Sequence, residues 1–292
     1  GSGNNEAIIQ YQFDRANDVT HSFDFYYTPG GDFALHGETG GGYGTPTQEM
    51  VESYEYAKGG LPNWTEWHGT TTKTPPYEEL EPRFHATILY NGAEWKGRLI
   101  EPFVDGVDGW CQWNIDREPM GRTTTGYYLR KLVDEDHDVI AYSGGVQPLI
   151  IMRYAEVLLN KAEACYHLDQ SADANAAVKK IRERVDLPYT DKGGSALWDA
   201  IRQERKVELA FEGLWYWDLR RWGVAHKQYP EGLTGYQQHG LKIENNGDGT
   251  FTYTYVSVDD QDRNFPEKMY RFPMPSGELN NNALVEQYPE WK

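Results

Sequence analysis

The groups that could carry chemistry in this chain are 45 carboxylates, eight histidines, two cysteines and many aromatic rings, including 21 Tyr and 10 Trp. Nucleophilic catalysis needs a nucleophile with a base in reach. Ser143 precedes Gly144-Gly145, but Ala141 stands where the first glycine of a nucleophile elbow belongs. The histidines are scattered, with no zinc-binding spacing, and Cys111 and Cys165 have no partner at metal-ligand spacing. Cys165 falls on the apolar side of an expected helix and reads as a buried free thiol. Asp134, Asp136 and Asp138 alternate like the opening of a calcium loop. Val139 takes the glycine position and Gly145 the final glutamate position, which excludes a calmodulin-like site. No catalytic residue, metal ligand or cofactor is expected. A glycosidase stays open as an alternative, because its two carboxylates are set apart in space rather than in sequence.

Binding chemistry is more legible. Trp64, Trp67 and His68 sit in a proline-bounded loop, followed by Tyr77. Ring faces can stack on the apolar C–H faces of a sugar while Asn63 or His68 hydrogen-bonds its hydroxyls. The competing reading is that these rings pin the loop to the core. Tyr43, in the Gly40–Gly44 run, is a further ligand-binding candidate. Trp95, Trp110 and Trp113 read as packing residues, and Trp215, Trp217 and Trp222, at helical spacing, as core. Glu204, Glu208 and Glu212 make a like-charge stripe at i, i+4, i+8 that something cationic must answer. Arg153, Arg202, Arg205, Arg220 and Arg221 are the candidates, and a buried charge network is the expected outcome.

Composition narrows the partners. Aromatics make up 14% of the residues although mean hydropathy is −0.75, which fits long polar loops that carry rings. The net charge of −17 argues against nucleic acid, whose phosphates call for a basic surface. A neutral ligand fits best. No stretch approaches the ~18 apolar residues of a membrane span. The opening Gly1-Ser2-Gly3 reads as a scar or a cut point, so the sequence is taken to begin mid-protein.

The elements that would position these groups fall into three stretches. Residues 1–147 read as a loop-rich α+β ligand-binding region. It holds a strand at Ala7–Phe13, a helix from Pro46 to near Gly59-Gly60 capped by Thr45, and strands at Phe84–Tyr90 and Tyr127–Leu132. Residues 148–223 read as helical scaffold. Its first helix starts at Pro148, its second carries Asp173 in the first turn, and its third is capped by Ser195. A short aromatic helix, Leu214–Trp222, follows. Residues 224–292 read as a β-hairpin around Asn245–Gly249 and an irregular tail packed on the scaffold.

Several of these segments resemble one family. Arg153-Tyr-Ala-Glu-Val-Leu-Leu-Asn-Lys-Ala-Glu-Ala164, Ile201-Arg-Gln-Glu-Arg-Lys-Val-Glu-Leu-Ala-Phe-Glu-Gly213 and Leu214-Trp-Tyr-Trp-Asp-Leu-Arg-Arg-Trp-Gly223 resemble the strongest markers of the SusD/RagB proteins. Pro46-Thr-Gln-Glu49, Glu81-Pro-Arg83, Ile181-Arg-Glu-Arg184 and the tail pieces Phe272-Pro-Met-Pro275 and Gln287-Tyr-Pro-Glu-Trp291 agree in order. The resemblance implies a mainly α fold with a loop-rich α+β part and short β-hairpins, part of a SusD-like tetratricopeptide-type α-superhelix. It implies a non-catalytic lipoprotein at the outer-membrane surface that binds oligosaccharides or peptides for a SusC-like TonB-dependent transporter. The matched segments cover the family's C-terminal half. The missing N-terminal half would bring the lipid anchor, which is the only membrane contact, and further helices. A helical-repeat adaptor without a small ligand is the third alternative.

Overall fold

The computed structural model describes residues 4–112, 121–259 and 261–292, so Trp113 lies outside the described residues. The chain divides into two compact units. One runs to Phe211 and includes Gln238–Asp259; the other joins Glu212–Gln237 to the C-terminal stretch ending at Lys292. The architecture is mixed, with more helix than strand and short sheets linked by long loops.

Elements in the first half are short. They are β1 (Ala7–Tyr11), α1 (Phe23–Tyr27), α2 (Gly31–Ala34), α3 (Gln48–Val51), β2 (Thr70–Thr71), α4 (Pro82–Thr87), β3 (Ile88–Leu89), β4 (Glu94–Trp95), β5 (Arg98–Leu99) and β6 (Tyr128–Leu129). The helix expected from Pro46 to Gly59-Gly60 shrinks to α3, whose cap is Thr47; its hydroxyl accepts from the Met50 amide at 3.4 Å. The strand expected at Phe84–Tyr90 is also corrected. Pro82 seeds the first turn of α4, and only Ile88 and Leu89 extend, paired with β6.

The second half begins with β7 (Leu149–Arg153), followed by α5 (Tyr154–His167), α6 (Ser171–Glu183) and α7 (Gly194–Glu208). The first scaffold helix therefore starts at Tyr154 and not at Pro148. Leu149–Arg153 instead pairs antiparallel with β1, from Ala7 opposite Arg153 to Tyr11 opposite Leu149. Helices α5, α6 and α7 share a core of Ala162, Cys165, Ala174, Ala177, Val178, Leu197 and Ile201. Neither cysteine is in a disulfide, and both are buried. The hairpin is as expected: β8 (His239–Asn245) and β9 (Phe251–Ser257) pair antiparallel, with β2 added on the outer side of β9.

The like-charge stripe is answered, though mostly by other arginines than those read from the sequence. Arg83 Nη1 reaches Glu204 at 2.5 Å and Glu208 at 3.1 Å, while Arg182 takes the other oxygen of Glu204 at 3.0 Å. Arg153 and Arg184 meet Glu208 Oε1 at 2.7 and 2.5 Å. Of the five candidates Arg153 belongs to this network. Arg205 donates to Asn160 at 2.8 Å.

The smaller unit is built on α8 (Trp215–Arg221), with α9 (Ser276–Asn281) in its tail. Its core is Leu219, Val224, Ala225 and Phe265, with Trp215 and Trp222 packed against it. Trp217 departs from the core reading. It is 53% exposed, because a seven-residue helix with one buried stripe turns the residue two positions after Trp215 outward.

Candidate functional site

The loop from Leu61 to Leu80 in the larger unit holds most of the candidate binding residues. Asn63 folds the loop entry by accepting from the Thr65 amide at 3.1 Å and the Thr65 hydroxyl at 2.7 Å. A single 3-10 turn, Thr65–Trp67, then turns both indoles inward. Trp64 and Trp67 are each 5% exposed and meet edge to face at 5.5 Å. The Trp67 N–H closes the loop on the Lys73 carbonyl at 2.9 Å. Tyr77, 2% exposed, lies within the same aromatic core as Phe84, Tyr90 and Tyr127. All three rings thus pin the loop, and none presents a free face.

Two features of this loop bear on what it could bind. The first is a run of hydrogen bonds from core to surface. Tyr77 and Tyr127 share a bond of 2.9 Å, Tyr127 donates to Gln48 at 2.6 Å, and Gln48 donates to Glu52 at 3.1 Å. The same Glu52 oxygen meets His68 Nε2 at 2.7 Å. Burial holds the Tyr77 and Tyr127 hydroxyls far above the usual phenol range, so both stay protonated donors. The half-exposed His68 ring lies 4.7 Å from Tyr255, which stacks on His239 at 4.5 Å; His239 in turn meets Glu49. Helix α3 and its C-cap therefore fix both imidazoles, through Glu49 and Glu52. The second feature is an orphan. The Trp64 indole N–H is buried and has no acceptor among the described residues. A buried unmade hydrogen bond costs about 1–3 kcal/mol, and the Trp110 indole outside this loop shares the condition.

Tyr43 stands elsewhere. It is 61% exposed and packs edge to face on Tyr26, a pair of rings that the sequence did not single out together. Trp95 is buried in the core as expected, its N–H shared between the two oxygens of Asp32.

Of the carboxylate–histidine pairs among the described residues, Asp24–His137 at 2.7 Å is the most deeply buried. The other ring nitrogen of His137 meets the Tyr142 carbonyl at 3.0 Å and must donate to it. With both nitrogens engaged, His137 has no lone pair to offer a substrate. Among the described residues no group of three or more His, Cys, Asp or Glu is arranged to hold a metal ion. No helix among them is long and apolar enough to cross a membrane.

Comparison with known proteins gives a consistent result. A family model described as the SusD family matches residues 5–291. A solved SusD-like protein of Bacteroides fragilis is 27% identical with a TM-score of 0.77, over 98% of this chain and 54% of its own. A structure from the same species, titled a SusD-like carbohydrate-binding protein, is 24% identical with a TM-score of 0.74, over 96% and 54%, and speaks to the fold alone. A SusD-like protein of Formosa agariphila is 40% identical over 87 residues, 26% of this chain and 17% of that protein. The chain thus spans about half the length of the solved relatives it matches.

Proposed function

The chain belongs to the SusD family, and we propose that it binds a neutral oligosaccharide or polysaccharide without cleaving it. The observation that carries this reading is the unpaired Trp64 indole donor. It lies in a loop that also offers His68 and Asn63 at its surface. A sugar hydroxyl is the kind of acceptor such a donor lacks, and a small opening of the 61–68 turn would let the two meet. His68, oriented by Glu52, would bind a second hydroxyl, while Trp67 and Tyr77 act as anchors. Tyr43, with Tyr26, would extend the contact surface.

For the whole protein the proposal is wider. It would stand at the cell surface on an outer membrane, held by a lipid anchor, and would pass its ligand to a SusC-like TonB-dependent transporter. Further helix pairs would continue the α5–α7 stack into a tetratricopeptide-type superhelix.

The test compares wild type with Trp64→Phe, which keeps the ring and removes the donor. Retention of the variant on a neutral polysaccharide gel should fall by about 1–3 kcal/mol of binding free energy, with the melting temperature unchanged or slightly raised. Equal retention would move the site away from Trp64. Chromatography of the bound oligosaccharide after prolonged incubation should return it intact, and any shortened product would defeat the non-catalytic reading.

A further inference from the structure

A cleft of about 710 Å³ opens in the larger unit between the 55–61 turn and the connection from α6 to α7. Its floor is fixed. Arg182 spans both oxygens of Glu55 at 2.9 Å each, meets Glu204 at 3.0 Å, and donates to the Pro188 carbonyl at 3.0–3.1 Å. That guanidinium is fully engaged and has little charge left for an anion. Above it stands the Tyr189 ring, 5.7 Å from Arg182, its hydroxyl tied to Asn175 at 2.8 Å. The ring's orientation is therefore set before any ligand arrives.

The opposite wall depends on a glycine. Gly59 has φ +89°, and a Cβ there would lie 2.8 Å from the Pro188 ring. Only glycine lets the turn close on Pro188 and hold Leu61 at the mouth, where its side chain is left largely in water. The charges that line the cleft cancel: Lys58, Lys192 and Arg182 stand against Asp199, Glu55 and Glu204. The cleft thus joins an oriented ring and an aliphatic wall to polar groups without net charge. That combination suits a sugar, which has apolar C–H faces and a hydroxyl rim, and it suits a uronate or a lipid poorly.

We propose that this cleft is a second subsite for a neutral glycan. Leu61 at its mouth stands three residues before Trp64 in the chain, and one oligosaccharide would engage both. The inference rests on the glycan-binding reading above and adds a second place where the chain is held. Two engaged sites on one ligand raise affinity beyond either alone.

The test uses this whole chain on an array of neutral and uronate-bearing oligosaccharides, followed by titration calorimetry with the best neutral hexasaccharide. Ala196→Trp, an exposed α7 position lining the cleft, fills it, and Leu61→Ser removes the aliphatic wall; both should keep the wild-type melting temperature. Each is expected to weaken hexasaccharide binding by about tenfold. Unchanged binding by both variants, with Trp64→Phe still impaired, overturns the second subsite and leaves the first reading standing. Loss in the cleft variants with Trp64→Phe unaffected supports the cleft and removes Trp64 from the site. Retention of uronate-bearing glycans alone overturns the neutral assignment. No retention of any glycan by wild type overturns both readings.

Discussion

Glu208 shows how much one residue can carry. Burial alone would raise its pKa, yet Arg153, Arg184 and Arg83 hold it below the ordinary glutamate value of 4.5. A carboxyl depressed in the folded state stabilises fully above its unfolded pKa, and that contribution is lost as pH falls toward the folded value. Glu208→Gln should therefore cost about 3–5 kcal/mol at neutral pH, since it leaves buried arginines uncompensated. The gap to wild type should narrow as pH falls below about 4.5, as thermal melts across a pH series would show. Parallel curves down to acid pH would mean that the carboxylate contributes packing and little charge. The acidic stripe was visible in the sequence because i, i+4 spacing is local. Its partner Arg83 was not, because a hydrogen bond across 121 residues leaves no periodicity to read. The same limit applies at the binding loop. Ring content and prolines marked Trp64, Trp67 and Tyr77, but their inward turn depends on the single 3-10 turn at Thr65–Trp67 and on the distant Tyr127.

Among the elements, the helices α5, α6 and α7 were legible because apolar residues repeat at helical spacing over a dozen positions or more. The stretch before α5 misled for a physical reason. Leu149–Met152 is wholly apolar, so periodicity cannot tell strand from helix, and the deciding partner β1 lies far upstream. The connection from α6 to α7 has its own fastener. Asn175 donates to the Ser171 and Lys192 carbonyls at 2.8 and 2.9 Å and accepts from Tyr189 and the Lys192 amide. Asn175→Ala should leave these groups unpaired, lower stability by about 1–3 kcal/mol, and speed amide exchange at residues 186–193 while α5 stays protected. Uniform acceleration across all three helices would instead make Asn175 part of the global fold.

Across the whole molecule, the β1–β7 ribbon and α5 leave apolar side chains in water. Ile8, Ile9, Leu149 and Ile151 on the ribbon, Tyr154 at the start of α5 and Leu168 at its C-cap are all exposed. A helix stack normally needs about three repeats to bury its faces. This chain alone should therefore bind an apolar dye, and Ile9→Glu with Ile151→Glu should cut the signal without lowering the melting temperature. A dark wild-type sample would show that the face is covered in solution. The net charge of −17 also predicts a modest rise in melting temperature with salt, as self-repulsion is screened. The family was legible in short ordered segments. The cleft beside Pro188 was not, because it forms only when the turn at Gly59 meets a residue far along the chain. Finally, the chain's only two sulfhydryls are sealed inside the protein. Maleimide chemistry should pass them by in the native state, so a cysteine placed on an outer loop becomes a unique handle. A dye attached there could time ligand arrival in single molecules without rebuilding the background sequence.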